Sequence, residues 1–501
     1  MNKTKVYKNV ITGFGGQCII LILGIIVPRI LLTNYGSDTN GLLSTITQIF
    51  TYMALLEAGV GQAARNLLYK PIAENDKDGF SYIVSIAQRY FRKLSVVYAG
   101  GVILLSICAP FVLKSSIDKM TICLVVLFQG LAGVVNFYFV ETQTIILTAD
   151  GHGYVNNVAN VINQIASYSA KIVMALLGLN IIVLQFTYFI ITVCKEIFYK
   201  KYFKDNYPWI DYGRAPSHAK LKDRNSYIVA ELAWTLFSST DMIVLSTFVS
   251  TQMSSVYSIY NMVFTSINLL LNAVYSSLIY ILGKTYHEGL DKYVKVHDAF
   301  MSIFVGAITI LMSVSYFLII PFVKLYTAGV SDVEYIYPLL PAMFCLVQLI
   351  SWSRYITGNL TAIAGYAKQT GRISLLEAGI NVVLSIVLVQ RFGIVGVLFA
   401  TVAALPVKVI YCTYLSDVKI LKRSPLKTLR ILIPNYLIFG VCVLIDKMIT
   451  ININNFLDFI IFGTLFTAVI ASIGILINLL ANRDCLKIIK VFMRRKGDLK
   501  S

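Results

Sequence analysis

The sequence predicts an all-α, polytopic membrane protein with fourteen transmembrane helices: two six-helix bundles in a pseudo-twofold arrangement, followed by two additional C-terminal helices. Three observations predict this fold class. Apolar stretches of spanning length recur along the chain, Lys and Arg gather in alternate gaps between them, and the composition is 57% hydrophobic but 14% charged. Because soluble domains carry about 25% charged residues, this composition argues against a water-soluble protein.

The apolar segments predict the membrane-spanning helices. Each is roughly 17 to 27 residues long, against the ~20 residues that a helix needs to cross the hydrocarbon core of a bilayer. The first is too long for the apolar region of a secretory signal and is therefore predicted to be a retained span. The predicted spans start near Val10, Gly41, Leu94, Met120, Val158, Ile181, Tyr227, Val256, Phe300, Tyr337, Ile373, Ile394, Ile431 and Phe456.

The distribution of positive charge predicts the orientation. Of the 43 Lys and Arg residues, 34 fall in alternate gaps and the two tails, five in the other gaps and four within spans. Since cytoplasmic loops are enriched in Lys and Arg, both termini are predicted to be cytoplasmic. The net charge of +18 then favours anionic lipid of the inner leaflet as a partner, and no nucleic-acid binding is expected.

The most polar interruption divides the chain into domains. It runs from Lys200 to Asn225, contains seven basic residues and separates six predicted spans from eight. The predicted organisation begins with an N-terminal six-helix bundle (1–200), a basic cytoplasmic linker (201–225) and a C-terminal six-helix bundle (226–418). Helices 13 and 14 (419–482) and a basic cytoplasmic tail (483–501) follow.

A weak internal repeat supports this division. Shifting the chain by 218 residues superimposes five residues of the fifth span region on identical residues of the eleventh: Gly153, Ile162, Asn163, Ser167 and Gly178 on Gly371, Ile380, Asn381, Ser385 and Gly396. Because a six-span unit has an even number of crossings, two copies enter the membrane in the same orientation, with their axis along the membrane normal.

Ionisable residues within the spans are the candidate functional residues, because charge at bilayer depth is costly unless it faces water or a partner. They are Arg29, Glu57, Lys171, Glu231, Asp241, Arg354 and Lys408. Arg29 could instead be an interfacial anchor and Lys408 a residue that extends to the inner surface. A structural ion pair between Lys171 and Asp241 is the alternative to a ligand-binding role. Asn163 and Asn381 add polar groups that suit either a substrate or an interhelical hydrogen bond.

Three features of the sequence together suggest a family resemblance. They are the fourteen predicted spans split by a basic loop, the opening helix from Lys5 to Val10 that leads to Pro28–Leu31, and the turn from Thr148 to Gly153. In these features the chain resembles the Wzx-type polysaccharide repeat-unit flippases of the multidrug/oligosaccharidyl-lipid/polysaccharide exporter superfamily. The resemblance covers nearly the whole chain and depends on architecture more than on a sharp motif.

This resemblance implies a pair of bundles in the bacterial plasma membrane that open alternately to either side. Their substrate would be an undecaprenyl-pyrophosphate-linked oligosaccharide, such as an O-antigen or capsule repeat unit, moved from the inner to the outer leaflet. Polysaccharide polymerase and assembly proteins would be partners. The pyrophosphate and sugars would meet a wet cationic chamber between the bundles, since cations replace the hydration of an anion by charge-assisted hydrogen bonds. The implied substrate-binding residues are Arg29, Lys171, Arg354, Asn163 and Asn381.

The implied energy source is an ion gradient. The sequence has no nucleotide-binding loop of the G-x-x-x-x-G-K-[ST] type, and no cofactor or metal is expected. Asp241 and Glu57 are therefore the candidate coupling carboxylates, for H⁺ or Na⁺. Two transport functions remain as alternatives, a lipid II flippase and a multidrug/cation antiporter of the same superfamily. An enzyme is not expected, because the outer loops are short and the inner loops lack paired carboxylates.

Overall fold

The computed structural model describes residues 3–57, 60–215, 235–236, 239–448 and 453–482, and these residues form helices without any strand. The chain divides into two compact units, Met1–Ser255 with Gly329–Val333, and Val256–Ala328 with Glu334–Ser501. The predicted basic tail, 483–501, lies outside the described residues, as does the predicted linker beyond residue 215. The predicted domain boundaries remain predictions.

The first unit contains eight α-helices, one short 3₁₀ turn at Leu55–Glu57 and one π-helical turn at Asn136–Val140, counted over its described residues. The helices are α1 (Lys3–Ala54), α2 (Val60–Glu74), α3 (Lys77–Val112), α4 (Lys119–Val135), α5 (Glu141–Ala149), α6 (Gly153–Leu176), α7 (Ile181–Asn206) and α8 (239–248).

The second unit is likewise helical, and its first helix begins in the first unit. Its described helices, with a second π-helical turn at Leu415–Ile420, are α9 (Thr251–Glu288), α10 (Leu290–Tyr326), α11 (Leu340–Ser353), α12 (Tyr355–Ile363), α13 (Ala367–Tyr414), α14 (Leu426–Asp446) and α15 (Phe456–Ala481).

Nine helical stretches of the described residues are long and apolar enough to cross a membrane. Two of them are long enough for two spans each and bend at a glycine with positive φ: α1 at Gly36 (φ 80°) and α13 at Gly393 (φ 53°). The first two predicted spans both start in α1, and the eleventh and twelfth both lie in α13. The seventh predicted span starts at Tyr227, outside the described residues. The count of fourteen therefore remains a prediction.

The fourth and tenth predicted spans are interrupted at corresponding positions. The π turn that begins at Asn136 separates α4 from α5, and Arg354 separates α11 from α12. These two residues are 218 residues apart, the same offset that relates the repeat in the sequence. Each unit thus interrupts the fourth span of its predicted six-span half at the same place.

Small residues allow the helices of the first unit to approach closely. A Cβ atom added at Gly133 of α4 would lie 2.5 Å from the hydroxyl oxygen of Tyr98 on α3. The ring of Tyr98 in turn packs edge-on against Phe137, with centroids 4.8 Å apart. This contact fixes the π turn against α3, which positions the polar side chains described next.

Candidate functional site: a polar cluster in each unit

A network of amides and charged groups lies around the π turn of the first unit. The ammonium of Lys195 on α7 donates to Oδ1 of Asn136 at 3.2 Å and to Oδ1 of Asn160, on α6, at 3.3 Å. The Nδ2 of Asn136 donates to Oε2 of Glu141 at 3.4 Å. The side chain of Glu57 lies within hydrogen-bonding reach of Glu141. We call these five residues the glutamate–lysine cluster.

The π turn explains how Asn136 and Glu141 meet. The backbone N–H of Glu141 donates to the carbonyl of Asn136, five residues earlier. In a π turn, residues five apart therefore lie one above the other, as residues four apart do in an α-helix. An uninterrupted α-helix would turn the two side chains away from each other. The widened turn brings the carboxylate to the amide.

The two glutamates of this cluster are placed so that one proton can bridge them. An ionised carboxylate can only accept hydrogen bonds, so two carboxyl groups that hydrogen bond to each other need one proton. The positive charges of Lys195 and Arg65 also act on Glu141. The arrangement is chemically suited to taking up and releasing a proton while one negative charge stays balanced.

The second unit has its own cluster at the matching break. Nη1 of Arg354 forms an ion pair with Oε1 of Glu377 on α13, and these side chains are only 6% and 3% exposed. Lys408, half-buried further along α13, also acts electrostatically on Glu377. With two cations and one anion, this arginine–glutamate cluster carries one net positive charge. Two residues predicted from the sequence, Arg354 and Lys408, thus both interact with the Glu377 carboxylate.

Lys171 and Arg29 belong to the helix pair α1 and α6. The Lys171 ammonium lies 5.1 Å from the centroid of the Tyr188 ring, a cation–π contact. No ion pair joins Lys171 to Asp241 in the part of the chain that the structure describes. Arg29 is half-buried on α1, between Val27 and Leu31, which pack in a small apolar core with residues of α6 and α7.

Asp241, the other predicted coupling residue, lies near Tyr52 of α1. Its side chain is buried on α8, 5% exposed, and its charge acts on Tyr52 of α1. The Tyr52 hydroxyl hydrogen bonds to Thr240, the residue before Asp241. Glu231 lies outside the described residues.

Asn163 and Asn381 occupy matching positions with spare hydrogen-bonding capacity. The Nδ2 of Asn381 donates to Thr401 at 2.8 Å, but its Oδ1 has no partner among the described residues. The Oδ1 of Asn163 likewise has none, and nor do the hydroxyls of Ser167 and Ser385, one helical turn further on. Each repeat therefore presents an Asn and a Ser that can still accept a hydrogen bond.

Comparisons with solved structures identify the fold. The lipid II flippase MurJ in an inward closed conformation matches with a TM-score of 0.67 at 15% identity, over 93% of this chain and 98% of that chain. A multidrug resistance MATE family transporter of the MOP superfamily, facing inward, matches with a TM-score of 0.66 at 14% identity, over 80% and 95%. This chain has their fold. No family model and no curated protein sequence matches it.

A third structure with this fold is a MOP superfamily transporter from Pyrococcus furiosus. Its TM-score is 0.57 at 12% identity, over 84% of this chain and 96% of that chain. All three similar structures are described as transporters or flippases, and none as an enzyme. The predicted all-helical fold is therefore confirmed, without its count of fourteen helices. At these identities the likeness extends to the fold alone.

Three ionisable residues of the two clusters were missed from the sequence. Glu377 lies four residues after the predicted start of the eleventh span, so its charge was a readable signal. Glu141 and Lys195 were assigned to the predicted cytoplasmic segments between spans, because each predicted span was ended at the edge of its apolar run. Both lie within helices that continue well past that edge, α5 to Ala149 and α7 to Asn206.

Proposed function

We propose that this protein is a flippase that moves an anionic, lipid-linked oligosaccharide from the inner to the outer leaflet of a bacterial plasma membrane. Both termini would be cytoplasmic. The substrate class is an undecaprenyl-pyrophosphate-linked repeat unit of a surface polysaccharide, such as O-antigen or capsule. Polymerase and assembly proteins would receive the product. The fold shared with a lipid II flippase and with multidrug transporters supports a transport function.

The observation that carries this proposal is the environment of the Lys171 ammonium. Its ammonium lies within an apolar helix and, among the described residues, contacts an aromatic ring without a carboxylate. A cation at bilayer depth is costly unless a ligand or water compensates for it. An anionic head group that binds there would supply the missing charge. Arg29 and Arg354, with the free acceptors of Asn163 and Asn381 for sugar hydroxyls, are proposed to complete the binding residues.

We propose that transport is coupled to a proton gradient at Glu57 and Glu141. Two hydrogen-bonded carboxyl groups hold one proton, and a change of helix packing that separates them would alter their affinity for it. Asp241 is the second candidate, and Na⁺ the second ion.

A multidrug antiporter is the less favoured alternative. The alignment with the MATE transporter covers 80% of this chain and 95% of the transporter. About a fifth of this chain therefore has no counterpart in it, whereas MurJ aligns with 93% of this chain. This difference supports a flippase. A lipid II flippase remains the second candidate function, because the fold cannot separate two lipid-linked glycan substrates.

Complementation tests both candidates. The full-length chain is expressed in a strain that lacks its polysaccharide repeat-unit flippase and in a strain depleted of its lipid II flippase. We expect restored surface polysaccharide in the first strain and no rescue of growth in the second. Lys171→Gln should abolish this rescue. A matched control is Lys119→Gln, because Lys119 also makes a cation–π contact, 4.7 Å from the Phe111 ring, but lies at the start of α4.

The opposite results would refute the proposal. Rescue of the lipid II strain alone would establish the second candidate. Failure in both strains by a protein that is present in the membrane, together with resistance to cationic drugs, would favour the antiporter. Full activity of Lys171→Gln would remove Lys171 from the site.

A further inference from the structure

A basic cavity of about 730 Å³ lies in the first unit, where α3, the π turn and the end of α7 meet. It is separate from the residues proposed above to bind substrate. Its described lining residues come from three helices, the π turn and the segment that follows α7: Gln88, Arg92, Tyr138, Phe139, Gln143, Lys200, Phe203, Lys204, Tyr207, Pro208, Ile210, Tyr212 and Gly213.

Every charged side chain among these described lining residues is basic. The Arg92 guanidinium lies 5.4 Å from the centroid of the Tyr138 ring, and the Lys200 ammonium lies 4.4 Å from that of Phe139. Lys200 also pairs with Glu196, one turn earlier on α7, which offsets one of the three positive charges. Arg92 and Lys204 remain as two exposed cations, and neither forms an ion pair with another described residue.

The cavity also offers neutral polar groups. Oε1 of Gln143 is buried and has no hydrogen-bond partner among the described residues. The Tyr207 hydroxyl donates to Oδ2 of Asp150 at 2.8 Å. Burial raises the pKa of Tyr207 far above its ordinary value, and Asp150 raises it further. The phenol therefore stays neutral and adds no negative charge to the cavity.

The position of the cavity along the chain suits the cytoplasmic surface of a membrane. It lies where α7 ends, at the start of the most basic interruption of the sequence. Five aromatic residues line it, and Trp209 lies between two further lining residues, Pro208 and Ile210. Tyr and Trp gather at the level of lipid headgroups because they are both apolar and polar.

We propose that this basic cavity binds the phosphate headgroup of an anionic membrane lipid. Its volume falls within the range of small-molecule sites, about 300–1,000 Å³. Basic pockets between membrane helices on the cytoplasmic side are suited to lipid phosphates. The planar guanidinium of Arg92 can bind two phosphate oxygens at once, and Lys204 supplies a second charge. The rings of Phe139 and Phe203 provide apolar surface for the first carbons of the acyl chains.

Two double variants test this proposal in the full-length protein. Arg92→Gln with Lys204→Gln removes both exposed cations from the cavity. The control, Lys93→Gln with Lys201→Gln, removes the same charge from exposed neighbours on the same two helices that do not line the cavity. Binding of dioctanoyl phosphatidylglycerol is measured by native mass spectrometry in detergent. Dioctanoyl phosphatidylcholine and inorganic phosphate serve as the neutral lipid and the soluble anion.

We expect the unmodified protein and the control to prefer phosphatidylglycerol over both comparison ligands. The cavity variant should bind it roughly 30-fold more weakly, at about fivefold for each cation lost. If the cavity variant elutes as an aggregate, Lys204→Gln alone tests the proposal through its fivefold loss, because that side chain is exposed. Equal weakening in both double variants, no preference for phosphatidylglycerol, or equally strong binding of inorganic phosphate would overturn the assignment.

Discussion

Arg354 and Glu377 form an ion pair in the interior of the second unit, with both side chains almost completely buried. The pair joins the junction of α11 and α12 to the first part of α13. Taking two charges out of water costs several kcal/mol for each ion, and their attraction repays this only when both partners remain. The structure therefore depends on the presence of both.

We expect Glu377→Leu to lower the free energy of unfolding by about 3–5 kcal/mol, because Arg354 and Lys408 would lose the carboxylate that offsets their charge. The double variant Arg354→Met with Glu377→Leu should be less destabilised, since it removes one of the two repelling cations. Thermal and denaturant unfolding of the purified protein in detergent would measure both.

An exposed ion pair provides the control for this measurement. Lys70 and Glu74 lie 4.0 Å apart on α2 with side chains 81% and 58% exposed. Water screens such a pair, so Glu74→Gln should change the free energy of unfolding by less than about 1 kcal/mol. A Glu377→Leu variant as stable as Glu74→Gln would contradict the assigned role of the buried pair.

The bend at Gly393 leads to a second prediction. Gly393 has φ 53° and ψ −132°, a conformation that is strained for any residue with a Cβ atom. Gly393→Ala should destabilise the protein by about 1–3 kcal/mol. Gly379→Ala is the matched control on the same helix, because an added Cβ meets nothing within 4 Å at either position. That variant should be neutral or more stable by up to about 1 kcal/mol. Equal stability of the two alanine variants would contradict the expected backbone strain of alanine at Gly393.

Much of this fold could be predicted from the sequence, because long apolar segments leave a helix few alternatives in a bilayer. The 218-residue repeat likewise anticipated that Asn163 and Asn381 would match. What could not be predicted depends on where side chains point. The π turn at Asn136 has no composition signal, and without it nothing relates Asn136 to Glu141. The pairing of Arg354 with Glu377 depends on how α12 and α13 fold back on each other.

Close packing of α1 on α6 gives a third prediction. A Cβ atom added at Gly16 would lie 2.4 Å from Cγ2 of Val161, whereas one added at Gly15 would meet nothing within 4 Å. Gly16→Ala should therefore cost about 1–3 kcal/mol through overpacking. Gly15→Ala should be neutral or slightly stabilising. Combining Gly16→Ala with Val161→Ala should restore part of the loss, and unfolding in detergent would measure all three. No difference between the two glycine variants would contradict the close approach of these helices.

The proximity of Glu57 and Glu141 leads to the last prediction, which depends on the proposed coupling. Glu141→Gln replaces the shared proton by a permanent amide donor, so the hydrogen bond to Glu57 can persist without titration. We expect the variant to fold and to transport with a rate that no longer responds to an imposed pH gradient. Flipping of a fluorescent lipid-linked oligosaccharide in proteoliposomes would measure this. Asp241→Asn, tested in parallel, should retain the response to the gradient. If Asp241→Asn loses that response while Glu141→Gln retains it, the coupling carboxylate is Asp241.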